Sequence, residues 1–558
     1  MKNILNNLNF IYKIGSKKEI LVFFVLLFLS IFVVFFEFLS FSSIYETLSV
    51  TEEKKSNGFN YFNVYENYFS FFFKSYEKFL ISILVTSLIF RNLLVLFSNF
   101  FLLKFVYNRY SKYSSILLNS YLNMSAIDFF KNNKSEYLKN VIKETYLIFV
   151  GIVFALITLG SEIIYLLILT FSAFYFLNIQ IDLIYILSLL TFVIVYFISI
   201  TSVKKLGEYR LNNESEVYKF ASEIFSSQIE IKIFKKTKMF FNFFADKMQN
   251  YSNNLVFLGL LSILPKNILE IIIALTISII YFNQSEIISF NQNIPELASI
   301  VFLIYRLAPS ISKIFNQLNT LIVYNPSMNM FVKQLRNNIN DKNSHDLSGQ
   351  KINTIELKNC FFEFENKILF KDLNLKLERG NIYCFKGRSG SGKTSLIFLL
   401  MNLYKFKKGA FLVNDTPTIN TINWGNKLGY VPQNPIIIDF SLRENLFLEE
   451  NDNDHFLKSE NLFKKLNLKY IFENHENKSL NLRGLSGGEK QRISLIRALI
   501  KDPEILILDE PISSLDYENS SRIIEHLNQI KKDKIIVLTT HDDKFDYLFD
   551  KIINLNEQ

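Results

Sequence analysis

Two short segments in the C-terminal part of the chain contain the residues best suited to chemistry. The first is a loop whose three glycines, lysine and threonine have the spacing that wraps a nucleotide's phosphates in backbone N–H groups. The apolar residues 382–385 before it predict a buried strand, and residues 395–403 after it predict a helix. The lysine should reach the β and γ phosphates, and the threonine hydroxyl should bind Mg²⁺. The loop consists of Gly387, Arg388, Ser389, Gly390, Ser391, Gly392, Lys393 and Thr394, and Ser395 follows it.

The second segment, residues 505–510, is an apolar run that ends in two carboxylates, which is the pattern of a Walker B motif. Asp509 is predicted to hold Mg²⁺, directly or through water. Glu510 is predicted to polarise the attacking water as a general base. Together the two segments predict in-line phosphoryl transfer, in which positioning is the main catalytic effect.

Further motifs lie between and after these segments in a fixed order. They are residues 430–435 around Gln433, residues 513–516 ending at Asp516, and His541 at the end of an apolar run. A fourth motif, followed by Lys-Gln-Arg, is Leu485, Ser486, Gly487, Gly488 and Glu489. The order and spacing of these motifs resemble those of ATP-binding cassette (ABC) transporters.

The resemblance implies a role for each motif. The segment 485–489 resembles the signature motif, which binds the ATP held by a partner subunit. Gln433 matches the Q-loop residue, which contacts Mg²⁺ and faces the membrane domain. Asp516 matches the D-loop, and His541 matches the switch histidine that bridges the γ-phosphate and the catalytic centre. The implied catalytic residues are Glu510, His541 and Lys393, the implied metal ligands are Thr394, Gln433 and Asp509, and the implied cofactors are ATP and Mg²⁺.

Three positions depart from the family pattern. Glu489 stands where many exporters have Gln. Residues 479–484 lack the glutamate that many exporters place before the signature, so coupling to the membrane domain is expected to use other contacts. Phe364 stands where the family often has the tyrosine that stacks on adenine. Alternating aromatic residues in a strand are also common in cores, so both interpretations of Phe364 stay open.

The first part of the chain is apolar enough to be a membrane domain. The 558 residues are 49% hydrophobic, the mean hydropathy is +0.19, and the apolar excess lies before residue 330. Apolar runs long enough to cross a bilayer recur there. The six predicted spans are 20–41, 79–103, 146–177, 181–203, 255–282 and 297–323.

The distribution of charge predicts the orientation. Lysines precede the first span and are frequent in the two long loops, 104–145 and 204–254, whereas the connections 178–180 and 283–296 contain no Lys or Arg. By the positive-inside rule, the N-terminus, both loops and the ATPase domain share the cytoplasm. The net charge of +9 is then largely topological, and no nucleic-acid partner is expected. Cys360 and Cys384 are expected to be free cytosolic thiols.

The alternation of short external turns with long internal loops resembles the type I (type IV) exporter fold. The predicted fold class is a membrane all-α six-helix domain followed by an α/β P-loop ATPase domain. The predicted bounds are 1–335 for the permease domain, 336–352 for a linker and 353–558 for the ATPase domain. The segments 129–136 and 224–232 are expected to be coupling helices.

Ionisable residues inside the spans are the best indicators of cargo, because they are costly in a bilayer. Two interpretations stay open. One is internal pairing of charges, for example between Arg91 and Glu162; the other is a cationic cavity for an anionic headgroup. Residues 264–270 and 305–314 resemble segments of bacterial lipid-linked oligosaccharide and polysaccharide flippases, which favours the second slightly. The predicted cavity residues are Arg91, Arg306, Lys266 and Glu162.

The sequence thus predicts a homodimeric half-transporter of the bacterial inner membrane that exports or flips an amphipathic substrate. A heterodimer is the alternative assembly. Alternative functions are a drug, lipid or peptide exporter and, from another class, a membrane ATPase that regulates a partner without transport. The aromatic residues of 61–78 predict either a helix at the membrane interface or a collapsed aromatic loop.

Overall fold

The computed structural model describes residues 17–51, 61–73, 75–131, 133–177, 183–283, 294–337, 344–346, 350–364, 367–388, 390–418, 421–447, 453–475 and 485–555. The chain divides into two compact units. The helical unit contains residues 1–124 and 130–340, and the second unit contains residues 341–558 together with 125–129. The boundary near residue 340 lies within the segment predicted as a linker.

Six long helices run through the described part of the helical unit, and each overlaps one predicted span. In all of them except Ile294–Val323, the apolar residues are not confined to one stripe, as is usual for helices that face lipid. Leu21 and Phe24, for instance, are more than half exposed. The helices are α1 (Lys17–Thr51), α2 (Tyr76–Leu122), α3 (Phe154–Leu177), α4 (Leu183–Ser226), α5 (Thr237–Asn283) and α6 (Ile294–Val323), and α7 (Asn325–Asn337) follows.

Among the described residues, three helical stretches have the length and hydropathy needed to cross a bilayer, namely Glu19–Thr47, Tyr76–Leu122 and Lys134–Thr170. The helices pack most extensively in three pairs: α1 with α2, α3 with α6, and α4 with α5. Two wider π-type turns, Asn140–Glu144 and Leu147–Val153, lead into α3. The helical pairing matters for the charges inside the unit, because it decides which ionisable side chains can meet.

Short helices lie between the long ones. Ala126–Lys131 and Lys134–Lys139 follow α2, and Gln228–Ile233 follows α4. Residues 125–129 belong to the second unit, although the chain on both sides belongs to the helical unit. Ala126 and Ile127 pack against an apolar core of the second unit. The segment that joins this unit therefore begins a few residues before the coupling helix predicted at 129–136.

The aromatic segment 61–78 is helical over Tyr61–Val64 and Tyr65–Phe69. The ring of Phe79, at the start of α2, contacts those of Tyr65 and Phe69 at 5.5 and 5.2 Å between centroids. Phe71 and Phe72 are 94% and 74% exposed. The rings of the helical part thus pack on the start of α2, and a location at the membrane interface stays a prediction.

The second unit is built on two larger sheets. A five-stranded parallel sheet has the order β11-β4-β10-β9-β8, and an antiparallel sheet has the order β3-β2-β5-β6. The strands are β1 (Ser344–Asp346), β2 (Thr354–Phe364), β3 (Lys367–Glu378), β4 (Ile382–Lys386), β5 (Lys408–Val413), β6 (Thr416–Pro417), β7 (Thr421–Asn423), β8 (Leu428–Val431), β9 (Ile505–Asp509), β10 (Ile535–Thr539) and β11 (Lys551–Asn554).

Helices cover the parallel sheet, so its central strands are buried along their whole length, as their continuous apolar runs require. One core lies between the sheets with α8 (Lys393–Leu400), and the other contains residues of the remaining helices. These helices are α9 (Leu442–Phe447), α10 (Asn453–Lys465), α11 (Lys469–His475), α12 (Gly487–Leu499) and α13 (Tyr517–Ile530).

Part of the predicted linker is regular structure. Helix α7 extends to Asn337, and β1 pairs in parallel with β7 from Ser344↔Thr421 to Asp346↔Asn423. Polar residues suffice for such a pair, because backbone groups alone form the ladder. The segment 336–352 thus contains regular structure at Arg336, Asn337 and 344–346, and its role as a linker stays a prediction.

Candidate functional site

The phosphate loop lies between the end of the buried strand β4 and the first turn of α8. Gly390 and Gly392 have φ angles of 82° and 96°, which glycine adopts at no steric cost. A Cβ on Gly392 would also lie 3.1 Å from the Phe370 ring. The loop therefore presents backbone rather than side chains at the helix N-terminus, where N–H groups favour an anion. Ser389 lies outside the described residues.

Lys393 is folded back onto this loop. The residue as a whole is 8% exposed. Its ammonium donates to the carbonyl oxygens of Gly387, at 2.7 Å, and Arg388, at 3.2 Å. Burial lowers the pKa of Lys393, and the carboxylates of Glu510 and Asp509 oppose that shift. A partly desolvated cation held by two carbonyls can turn to phosphate oxygens at small cost.

Ser391 supplies a test of whether a phosphate fits here. Its buried hydroxyl oxygen has no hydrogen-bond partner within the described residues. A buried polar atom without a partner is costly, and a phosphate oxygen would satisfy it. The loop residues on this chain thus fit the triphosphate that their spacing predicts.

Asp509, at the end of β9, forms the centre of the predicted metal site. It is 4% exposed, and its two oxygens accept hydrogen bonds from Thr394 Oγ1, at 3.2 Å, and Thr539 Oγ1, at 2.7 Å. Burial raises the pKa of Asp509, and the two hydroxyls lower it. A carboxylate, a hydroxyl and the nearby amide of Gln433 are the hard oxygen ligands that suit Mg²⁺.

Glu510 brings three of the predicted residues together. Its Oε2 accepts a hydrogen bond from Gln433 Nε2 at 3.0 Å, and its Oε1 lies 3.1 Å from His541 Nε2. The backbone of Glu510 has a φ of 51°, which turns the side chain away from the strand direction, and its N–H donates to Thr539 Oγ1 at 2.9 Å. The carboxylate is 17% exposed, so water can reach it. This arrangement can orient a water molecule and accept its proton.

The signature motif begins α12. Ser486 caps the helix by accepting from Glu489 N–H, and the Glu489 carboxylate accepts from Ser486 N–H in return. A Cβ on Gly488 would lie 2.9 Å from Leu515 Cδ2 and 3.1 Å from Ser514 O. The signature glycine therefore packs directly against the D-loop segment of its own chain. Glu489 completes a capping box, a position that either Glu or Gln can fill.

Comparisons with known proteins agree with this geometry. Residues 370–513 match the family model described as ABC transporter. Residues 370–513 form an ABC transporter ATPase domain. The cofactors of such a domain are ATP and Mg²⁺.

Two curated relatives match the chain only in part. The ATP-dependent permease MDL1 of Candida albicans is 36% identical over 198 residues, which are 33% of this chain and 28% of that protein. A probable ABC transporter ATP-binding/permease protein of Haemophilus influenzae is 32% identical over 210 residues, which are 37% of this chain and 38% of that protein. The matched parts thus span less than two fifths of the length of these two relatives.

A solved structure of a bacterial Atm1-family ABC exporter with ATP bound is similar over nearly the whole chain. The TM-score is 0.74 at 15% sequence identity, and the similarity covers 96% of this chain and 93% of that one. The chain therefore has the fold of an ABC exporter. The predicted fold class, an all-α membrane-type domain followed by an α/β P-loop ATPase domain, is confirmed.

Two residues of the ATPase domain were missed by sequence reasoning. Thr539 contacts both Asp509 and Glu510, and it stands directly opposite Asp509 in the parallel register of β10 and β9. The sequence feature that could have indicated Thr539 is a hydroxyl residue at the end of the strand that precedes His541. Arg492, two residues beyond Lys490, donates from Nε to Gly488 O at 3.3 Å. The same guanidinium donates from Nη1 to Leu466 O, Asn467 O and Asn519 Oδ1.

Phe364 lies at the end of β2, and its ring is partly buried. It stacks on Tyr404 with 5.9 Å between centroids and an interplanar angle of 16°. Tyr404 also stacks on Phe362 at 5.5 Å. One face of Phe364 is thus committed to an aromatic stack, and adenine binding by this residue stays a prediction.

The predicted pairing of charges in the helical unit is partly wrong. Arg91 pairs with Glu37, at 2.7 Å, and not with Glu162. Glu162 pairs with Lys313, at 2.7 Å, and accepts from Ser310 Oγ at 2.6 Å. The reason is the helical packing, because α2 lies along α1 whereas α3 lies along α6. The side chains of Arg306 and Lys266 lie outside the described residues.

Arg91, Glu162 and Lys313 nevertheless line one cavity of about 530 Å³ in the helical unit. The cavity is formed by α1, α2, α3 and α6, and neutral polar residues such as Asn99 and Gln317 complete its lining. Arg91 and Glu162, two of the four predicted cavity residues, thus line the same cavity. Its basic side chains each have a carboxylate partner, so its described charges balance.

Proposed function

We propose that this chain is one half of an ABC transporter that uses ATP to export or flip an amphipathic substrate. The observation that carries the proposal is the Glu510 carboxylate, within 3.1 Å of Gln433 and His541. It lies on a chain whose other unit has helices able to cross a bilayer. A chain with both parts can couple phosphoryl transfer to movement across a membrane.

In the proposed reaction, Lys393 releases its carbonyl partners and donates to the β and γ phosphate oxygens. Thr394, Asp509 and Gln433 would hold Mg²⁺, and the ion would supply positive charge that neutralises the phosphates. Thr539 keeps the Asp509 carboxylate oriented through its 2.7 Å hydrogen bond.

The proton chemistry belongs to Glu510. Its carboxylate accepts the proton of the attacking water, and Gln433 and His541 hold it in place from either side. His541 is 52% exposed and can turn toward the γ-phosphate, where its N–H stabilises the transferring group.

The proposed assembly is a homodimer, with a heterodimer as the alternative. The family's signature motif acts on the partner's ATP, and this chain has both a signature with an ordered helix cap and a complete phosphate loop. Two copies can therefore build two composite sites. The proposed location is the bacterial inner membrane, as a multi-pass protein whose N-terminus and ATPase domain face the cytoplasm.

The proposed cargo is a lipid-linked oligosaccharide or another anionic glycolipid. Its support is the cavity, in which the cations of Arg91 and Lys313 lie beside neutral polar side chains suited to sugar hydroxyls. A drug, lipid or peptide exporter with the same ATPase domain is the second candidate. The Haemophilus relative is described only as an ATP-binding/permease protein, which fits either cargo.

The test is transport by the purified protein in proteoliposomes that contain a fluorescent lipid-pyrophosphate sugar. ATP should move the lipid to the opposite leaflet, and Glu510→Gln should abolish movement while ATP still binds. Movement of a fluorescent drug or phospholipid instead would support the second candidate. Hydrolysis that depends on Glu510 without movement of any of these cargoes would favour a regulatory membrane ATPase.

A further inference from the structure

The cavity in the helical unit contains two ion pairs that differ in how firmly they are held. Arg91 is 22% exposed, and its partner Glu37 is fully buried. Lys313 is 61% exposed, and its partner Glu162 is 15% exposed. A pair that includes a fully buried carboxylate is costly to break, because the separated charge stays uncompensated in a low dielectric. A pair whose cation is mostly exposed costs far less to separate.

Glu162 has a second partner that would remain if Lys313 left. Its Oε1 receives the Lys313 ammonium, whereas its Oε2 accepts from Ser310 Oγ at 2.6 Å. Ser310 and Lys313 are three residues apart on α6 and so lie on one face of that helix. Thr158 and Ser161 line the same cavity, and their hydroxyls donate to carbonyl oxygens of their own helix. The contact from Ser310 is thus the polar contact of the Glu162 carboxylate that does not depend on Lys313.

Among the described residues, the charges that an anionic group meets in this cavity already balance. Coulomb attraction for it arises only if one cation is released from its carboxylate. Lys313 is the better candidate, since its exposed ammonium sits on a flexible four-carbon stem with three donors. Arg91 stays with Glu37 and contributes a fixed, compensated charge.

We propose that Glu162 is an internal competitor for the substrate's anion, which binds by displacing the Glu162 carboxylate from the Lys313 ammonium. The inference rests on the proposed function, because it assigns the polar group of the proposed cargo. The ligand class is an amphipath with a phosphate or pyrophosphate group, its apolar tail remaining against the helices. Glu162 acts as a specificity-determining residue, since it weakens binding of anions too poor in charge to displace it.

The sign of one substitution distinguishes this proposal from a purely structural ion pair. Glu162→Gln keeps the shape and the Ser310 contact but removes the competing charge. Equilibrium binding of radiolabelled farnesyl pyrophosphate to the full chain in phosphatidylcholine nanodiscs, without ATP, should then become about three- to tenfold tighter. Lys313→Gln should weaken binding by a similar factor. In the double variant the gain from Glu162→Gln should disappear.

Controls separate the role of the charge from other effects. Radiolabelled farnesol, which has the same tail without the anion, should bind equally to all variants, and inorganic pyrophosphate alone should bind weakly. Glu216→Gln breaks an exposed pair with Lys247 outside the cavity and should change nothing. A far-UV circular dichroism spectrum and a gel-filtration volume equal to those of the wild type show that each variant is folded.

Binding that is unchanged or weaker in Glu162→Gln overturns the proposal, as does an equal change for farnesol. The failure of the proposed function is a separate result. If the binding pattern is as expected but ATP moves no anionic amphipath across proteoliposomes, the anion site stands and transport of this cargo class does not. If such cargo is transported while Glu162→Gln leaves affinity unchanged, the displacement mechanism fails alone.

Discussion

Thr539 shows how one hydroxyl can serve two carboxylates with different tasks. Its Oγ1 donates to Asp509 Oδ1 at 2.7 Å and accepts from Glu510 N–H at 2.9 Å. The first contact orients the residue proposed to bind Mg²⁺. The second fixes the backbone of the proposed general base, whose φ of 51° is unusual for a residue with a side chain. Thr539 thus links the two carboxylates through a fully buried position.

Thr539→Val should therefore lower the ATP hydrolysis rate about 10- to 100-fold, which is typical for loss of a group that orients a metal ligand. The volume of the side chain is nearly kept, so the fold should survive. Steady-state phosphate release by the purified protein is the measurement. Thr539→Ser keeps the hydroxyl and should retain most of the activity; equal rates in the Val and Ser variants would contradict the orienting role.

Arg492 connects secondary-structure elements, because its guanidinium contacts the ends of three helices. Its guanidinium contacts Gly488 O in α12, the carbonyls of Leu466 and Asn467 after α10, and Asn519 Oδ1 in α13. Asp516 caps α13 by accepting from Asn519 N–H at 2.8 Å. Burial lowers the pKa of Arg492, and the carboxylates of Glu489 and Asp516 oppose that shift. The signature helix and the D-loop helix are therefore positioned together by one side chain.

Arg492→Gln should reduce ATP hydrolysis about tenfold or more, because four hydrogen bonds to a cation are lost. Nucleotide binding to the phosphate loop should be unchanged when measured with a fluorescent ATP analogue, since no contact of Arg492 involves that loop. The matched control is Arg522→Gln, which breaks an exposed pair with Glu518 on α13. If both variants lose activity equally, or if Arg492→Gln loses nucleotide binding, the positioning role is excluded.

Glu504, directly before β9, connects this strand to Ile352, which precedes the first long strand of the antiparallel sheet. It accepts from Ile352 N–H at 2.8 Å, from Lys427 at 2.9 Å and from Arg379. Burial raises the pKa of Glu504, but these three hydrogen bonds outweigh burial and hold it below its ordinary value. A depressed pKa means that the stabilisation is present above the unfolded pKa of about 4.3 and is lost as the pH falls through the folded pKa.

Glu504→Gln should lower the free energy of unfolding of the ATPase unit by about 1–3 kcal/mol at neutral pH. The difference from the wild type should shrink as the pH falls below about 4.3. The single tryptophan of the chain, Trp424, is buried in this unit, so its fluorescence in urea titrations reports the transition. Glu518→Gln is the surface control. A difference that stays constant as the pH falls well below about 4.3 would contradict the assignment to the ionised carboxylate.

These elements also show what a sequence can reveal. Residues 382–385 and 505–509 are predicted as strands because each is a continuous apolar run, and β4 and β9 lie there. The phosphate loop is predictable because its chemistry is contiguous. The partners of Arg91 and Glu162 are not, because they depend on which helices pack together. The contacts of Arg492 are not predictable for the same reason, since its acceptors on Leu466, Asn467 and Asn519 lie 25 to 27 residues away in sequence.

At the scale of the whole molecule, the chain combines a helical unit and an ATPase unit with every catalytic motif present. The phosphate loop, Glu510 and the signature all occur once on the same chain. In the proposed homodimer, each composite site takes Lys393 and Glu510 from one copy and Ser486 from the other. Symmetry then gives two identical sites. Two chains with different defects can therefore form one intact composite site together, which is impossible for a site built from a single chain.

Lys393→Ala and Ser486→Arg should each abolish ATP hydrolysis in a homodimer, because each damages both composite sites. A heterodimer of the two variants, purified through two different affinity tags, has one site with both defects and one site with none. It should recover hydrolysis up to about half of the wild-type rate.

The matched control is the heterodimer of Lys393→Ala with Glu510→Gln. In this heterodimer each site has one defect, and the defect lies in the copy that supplies the phosphate loop of that site. It should stay inactive, because neither site is intact. Phosphate release from the two heterodimers, measured at equal protein concentration, compares them directly. Equal inactivity of both heterodimers, or full activity of the Ser486→Arg homodimer, would show that Ser486 does not complete the partner's site; recovery in the first alone requires a site built from two copies of this chain.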